Sequence, residues 1–141
     1  MMLLRVLFGL VLLASCVACS KQVPVEANRT SQVSLDEAVQ LVQSGSYSQA
    51  LPLLEKAIAS GGLQADTLAD AYTYRARCYA DANEIEKATQ DLSFAEQGSA
   101  SPALYQVAKG TLLHKQGKKA EAETAFRNAK QIDKNVVVPK L

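Results

Sequence analysis

The residues that could do chemistry in this chain are few. Cys16 and Cys19 form a C-x-x-C pair, a spacing suited to redox exchange or to half of a zinc site, yet no second pair exists and no strand-helix context surrounds them. Cys78, the only other cysteine, falls inside an apolar helical stretch and reads as a small buried hydrophobe. His114 is the single histidine. It has no cysteine or second histidine at ligand spacing, so the N/S set that zinc prefers cannot be assembled, and neither metal nor cofactor is expected. Glu84 with Glu86, and Glu121 with Glu123, stand two apart on helices and do not face one another. No glycine-rich phosphate loop is present. Catalysis needs converging titratable groups, and here none converge. An enzyme using Cys78 or His114 is the weakest of the functional readings.

The elements that carry these residues are helical by composition. Hydrophobic residues make up 48% and charged residues 21%, a globular balance, while seven glycines, four prolines and no tryptophan among 141 residues favour helix over strand. Formal net charge is +1, but residues 109–140 hold Lys109, Lys115, Lys118, Lys119, Arg127, Lys130, Lys134 and Lys140 against Glu121, Glu123 and Asp133. A basic end of this kind suits an acidic partner or anionic lipid heads. Without interleaved aromatics it gives no case for nucleic acid.

The first segment belongs to targeting. A short positive start, Met1–Arg5, precedes the uncharged apolar run Val6–Ala14, the layout of a secretory signal and too short for the ~20 residues of a membrane span. Its end, Leu13-Ala14-Ser15-Cys16, resembles the lipobox of bacterial lipoproteins at all four positions. That resemblance implies cleavage before Cys16, leaving 1–15 as signal peptide and Cys16 acylated, with Cys19 the alternative. Two or more acyl chains give stable anchoring. Neither Val17 nor Ser20 is the aspartate that marks inner-membrane retention in enteric-type bacteria, so in a cell with two membranes the resemblance points to the outer membrane facing the periplasm. Residues 16–33, with Pro24 and no sustained period, read as a lipidated, flexible tether; its fourteen residues from Ser20 reach roughly 45 Å when extended.

From Ser34 onward the chain repeats itself. Ala38, Ala76 and Gly110 align, as do Leu41, Tyr79 and Leu113; Gly45, Asn83 and Gly117; Ala50, Ala88 and Ala122; Leu54, Leu92 and Phe126; and Ala57, Ala95 and Ala129. The second spacing is 34 throughout and the first is 38, the surplus lying at Gly61-Gly62-Leu63-Gln64. These columns resemble the tetratricopeptide repeat, in units of about 31–64, 69–102 and 103–135 followed by a short tail, 136–141. The resemblance implies an all-α, right-handed superhelix of three helical hairpins, with six helices near 34–44, 48–60, 67–82, 84–97, 102–116 and 118–133. Ser34 with Glu37 and Thr67 with Asp70 are candidate capping boxes, Ser101-Pro102 is an N-cap with proline at N1, and Gly61 and Gly98 suit helix ends. Pro52 is expected near a first turn, where its missing N–H costs little.

In the resembled family the first helices of the units line a concave groove that takes an extended peptide or partner helix. By aligned place the middle unit would offer Asp70, Thr73, Tyr74, Arg77 and Asp81, and the last Leu104, Val107, Thr111, His114 and Lys115. Leu35, Val39 and Val42 give the opening helix a second apolar face, to be covered by the tether valines or by a partner. Ala80 is expected on the groove side. The resulting expectation is a membrane-tethered protein-binding adaptor of the bacterial envelope; the alternative is a self-associating structural or assembly subunit. The basic last hairpin lacks a following neighbour, so Phe126 and Ile132 would be covered by the Val136-Val137-Val138 run or by a second copy in a homodimer.

Overall fold

The structure, a computed structural model, describes residues 25–140. The signal sequence, both N-terminal cysteines and the tether up to Pro24 lie outside the described residues. Six α-helices and no strand occur among those described: α1 (Val25–Gln43), α2 (Tyr47–Ala59), α3 (Ala65–Asp81), α4 (Ile85–Ala95), α5 (Pro102–Lys115) and α6 (Lys119–Ile132). The protein is therefore all-α. The helices pack most extensively in the sequential pairs α1 with α2, α3 with α4 and α5 with α6, and each pair also packs against the next. None of them is long and apolar enough to cross a membrane.

The largest departure from expectation is the start of α1. Residues 25–33, expected in the tether, are helical, so Ser34 is interior and buried rather than a cap. The segment has Glu26 in its first turn and no glycine or proline after Pro24, and Gln32 donates to Asp36 at 2.8 Å. Its buried side is small and polar. Ser31 is fully buried and its hydroxyl accepts the Gly62 N–H at 3.2 Å. A Cβ on Gly62 would stand 2.5 Å from Asn28 Cα and 2.6 Å from the Ala27 carbonyl oxygen. The glycine pair between the first two hairpins thus lets α1 lie directly on the chain. Nine residues that would reach about 30 Å extended span roughly 13 Å as helix.

The three hairpin turns are built alike. Gly45, Asn83 and Gly117 all adopt left-handed backbone, at φ 80°, 61° and 78°. Around each, two bonds close the helix end: Gly45 N–H to Val42 and Ser46 N–H to Leu41, Asn83 to Ala80 and Glu84 to Tyr79, Gly117 to His114 and Lys118 to Leu113. This is the Schellman arrangement, which satisfies carbonyls that a helix end leaves without partners. The column Leu41, Tyr79, Leu113 supplies the outermost carbonyl each time. Pro52, by contrast, is the sixth residue of α2, past the first turn. Both Pro52 and Ser48, whose carbonyl it leaves without a helical donor, are exposed, so water can take that bond.

Packing follows the remaining columns. Ala50, Ala88, Ala122, Ala57, Ala95 and Ala129 are each fully buried, and Leu54, Leu92 and Phe126 are 0%, 6% and 7% exposed. Alanine at these places lets helices approach closely while the larger side chain fills the space between them. In the last hairpin, Phe126 packs with Val107, Ala122 and Ala129, and Val136 and Val138 of the tail lie against that cluster. Of the two coverings expected for Phe126, the chain's own valine run supplies one, through Val136 and Val138. Ile132 and Val137 remain exposed.

Candidate partner-binding face

The structure divides the expected groove residues into two sets. Leu35, Thr73 and Val107 share one repeat position on α1, α3 and α5 and are 4%, 0% and 0% exposed. They are core, not groove. Val42 and Ala80 share another position and are also buried, because it faces the following hairpin: Val42 clusters with Ala71 and Cys78 of α3, and Ala80 with Ala108 and Leu112 of α5. The second apolar face of α1 is thus covered by α3. Of the tether valines expected to cover it, Val25 and Val33 are themselves exposed, and Val23 lies outside the described residues.

A different position keeps partial exposure on all three first helices. Val39, Arg77 and Thr111 are aligned and each is half-buried. Tyr74 and Leu104 are half-buried beside this line, His114 is half-buried at the far end of α5, and Asp81 and Lys115 are exposed at the helix ends. Lys115 Nζ reaches the Asp81 carbonyl at 3.3 Å and its carboxylate at 4.0 Å, joining α5 to α3. Arg77 is held by Tyr47, donating to its hydroxyl at 3.0 Å with the guanidinium 5.6 Å from the ring centre. Arg77 Nε and His114 Nδ1 are buried and make no hydrogen bond among the described residues. Burial raises the Tyr74 hydroxyl pKa above 10.0, with the nearby Asp70 carboxylate adding to the effect.

Asp70 has a structural task instead. Its carboxylate accepts from the Ser99 hydroxyl at 2.6 Å, the Ser101 hydroxyl at 2.8 Å and the Ser101 N–H at 3.2 Å. It therefore pins the α4–α5 connection to α3, and the expected Thr67–Asp70 capping box does not form. Thr67 lies inside α3, its N–H taken by Asp66 at 2.6 Å. The Thr73 hydroxyl turns back to the Ala69 carbonyl at 3.0 Å.

Sequence reasoning missed a polar cluster between α3 and α4. Asp91, 3% exposed, accepts from Arg75 Nε and Nη2 at 2.7 Å each. That bond holds the Arg75 pKa above its ordinary value. The same guanidinium lies 5.2 Å from the Tyr72 ring centre and 5.5 Å from that of Tyr79. Tyr79 donates to Glu55 at 3.1 Å, and Phe94 stacks on Tyr72 at 5.3 Å. A signal existed: Asp91 aligns with Leu53 and Ala125, so an acid interrupts an apolar column. Buried acids need partners.

Cys78 is 2% exposed, and burial pushes its thiol up to about 12. This is the reverse of an activated nucleophile, which needs a lowered pKa. Cys78 belongs to the first core cluster, and His114 stands on α5 in the last hairpin. No group of three His, Cys, Asp or Glu side chains that could hold a metal occurs among the described residues. What the geometry defines is an all-α protein of paired helices with one partly exposed line of side chains crossing α1, α3 and α5. No protein family, curated protein or solved structure matches this chain.

Proposed function

We propose that this protein is a lipid-anchored, exported adaptor of the bacterial envelope that holds a partner peptide or helix along the first helices of three tetratricopeptide-like hairpins stacked as a right-handed superhelix. The observation that carries the reading is the half-buried line Val39, Arg77 and Thr111, with the buried donor Arg77 Nε and the buried His114 Nδ1 making no hydrogen bond among the described residues. A buried polar atom without a bond costs about 1–3 kcal/mol. A bound segment offering a backbone carbonyl or carboxylate would remove that cost at Arg77, and the adjoining Tyr74 and Leu104 supply apolar contact. Aromatic and arginine side chains of this sort dominate binding energy in protein interfaces. An enzyme reading through Cys78 has no comparable support, because Cys78 is held as a neutral buried thiol.

A photo-crosslinking amino acid in place of Thr111, with the exposed Gln90 of α4 as the comparison position, tests the proposal in cells. The expected result is one protein captured from position 111 and not from position 90. Purified, that protein should bind the wild type and lose about tenfold or more in affinity against Arg77→Ala. Equal capture from both positions, or an unchanged affinity, would sink the groove reading. An array that instead crosslinks only to itself from position 111 would favour the assembly-subunit reading.

A further inference from the structure

The helical extension of α1 raises a question the partner-binding face does not answer: what it is for. Val25 and Val33 are two of the five large apolar side chains that stand exposed among the described residues, at 83% and 58%. Arg29 stands midway between them, so Val25, Arg29 and Val33 follow one another at i, i+4 and i+8 along one side of the helix. Beside this stripe lies an open depression of about 380 Å³ lined by Glu26, Arg29, Thr30, Val33 and Ser34 of α1 and by Lys56 of α2. Neither Arg29 nor Lys56 takes part in an ion pair among the described residues. Two cations, two hydroxyls and one carboxylate around one depression match a phosphodiester and its ammonium group. The flanking valines match the acyl boundary beneath.

The chain outside the described residues says which surface is within reach. Cys16 is nine residue steps before Val25. Even fully extended, those steps cover only about 30 Å. If Cys16 carries acyl chains, α1 begins within that distance of the headgroups, and it is the element of the fold nearest the anchor along the chain.

We propose that the stripe and depression at the start of α1 form a docking face for the phospholipid surface, so that the anchored domain lies against the bilayer through Val25, Arg29, Val33 and Lys56 instead of swinging on its tether. This rests on the lipid-anchor reading for the proximity of the membrane. The contact is modest, because two basic residues attract an anionic surface only weakly and the effect weakens further with salt. It sets orientation rather than attachment. The docking face draws its residues from α1 and α2 alone, so the partly exposed side chains of α3 and α5 are not part of it.

The test uses the full lipidated chain reconstituted in vesicles of phosphatidylethanolamine and phosphatidylglycerol. An environment-sensitive fluorophore is placed through Val33→Cys or, for comparison, Phe94→Cys on α4, which is also exposed. Flotation reports anchoring, and quenching by spin-labelled lipid reports docking. The expected result is flotation of both proteins with at least twofold stronger quenching at position 33. Arg29→Glu with Lys56→Glu should bring that quenching down to the level at position 94 while flotation persists. Flotation with equal quenching at 33 and 94 overturns the docking face and leaves the anchor standing. Absence of flotation overturns both. Quenching at 33 that survives the double charge reversal overturns the assignment of Arg29 and Lys56. Unchanged circular dichroism melts of the charge-reversed chain show that the fold is intact, both side chains being exposed.

Discussion

A methyl group added at Gly110 would stand 2.6 Å from Cε1 of Phe126, so the aromatic ring occupies the space where the first two hairpins carry an alanine side chain. The corresponding pairs are Ala38 with Leu54 and Ala76 with Leu92. The last hairpin keeps the same total volume by trading a methyl on α5 for a larger ring on α6. Gly110→Ala should therefore destabilise by about 1–2 kcal/mol, overpacking outweighing the gain in helix propensity. Phe126→Leu should also destabilise, by leaving a void. The double variant Gly110→Ala/Phe126→Leu should be more stable than the sum of its parts by about 1 kcal/mol or more, measured by urea unfolding. Strictly additive losses would refute the compensation.

Ala80 and Ala88 are both fully buried, in one cluster with Leu92 and Leu112. Register alone suggests that Ala80 faces an open groove, whereas it meets Ala108 and Leu112 of α5 across the hairpin junction. Ala80→Leu and Ala88→Leu should each cost about 1–3 kcal/mol by overpacking. Thermal melts in which Ala80→Leu matches the wild type would restore the groove placement.

The repeat columns made the fold readable because close packing uses few residue types: alanine at the crossings, a large apolar side chain between hairpins, glycine or asparagine where the backbone turns left-handed. Positions whose job depends on the neighbouring hairpin were harder. Leu35, Thr73 and Val107 look different in sequence yet are equally buried, since the identity allowed at each depends on what the next element brings to it. The start of α1 escaped for another reason. Its buried side consists of Ser31, which takes the Gly62 N–H, and Ser34, so it carries no hydrophobic period to detect. Arg75 and Asp91 are sixteen residues apart and on separate helices, and only the interruption of the Leu53, Ala125 column hinted that Asp91 must find a cation.

Alkaline pH should weaken the fold in a definable window. Burial raises the Cys78 thiol from 9.0 to about 12, and it raises the Tyr74, Tyr79 and Tyr105 hydroxyls above 10.0. Between pH 9 and 12 the unfolded chain has released protons that the folded chain keeps. The contribution of these groups is complete below pH 9 and is lost as pH rises toward 12. Urea midpoints should fall across this range, and Cys78→Ala should remove up to about 1.4 kcal/mol per pH unit from the slope between pH 9 and 10. Identical slopes for wild type and Cys78→Ala would mean that the thiol ionises as readily inside as outside.

The tail supplies the last test. Residues 136–138 are too rich in valine to extend α6, and Pro139 follows directly. Val136 and Val138 nevertheless pack on the cluster of Val107, Phe126 and Ala129, while Val137 between them is 77% exposed. Alternation of this kind means an extended segment laid across the end of the stack with every second side chain inward. It takes the place of the polar-faced capping helix that ends most helical arrays. Full burial of a valine contributes about 1.5–3 kcal/mol, and these two are half-buried, so removing residues 135–141 should cost roughly 1–3 kcal/mol. Val137→Ser should cost almost nothing, whereas Val138→Ser should account for a measurable part of the deletion. A tail-deleted chain that melts with the wild type, or Val137→Ser and Val138→Ser variants that are equally destabilised, would show that the tail does not cap the array. If deletion exposes Phe126 enough to recruit a second copy, the truncated chain and not the wild type should acquire a concentration-dependent mass by analytical ultracentrifugation, and Phe126→Glu in the same background should abolish it.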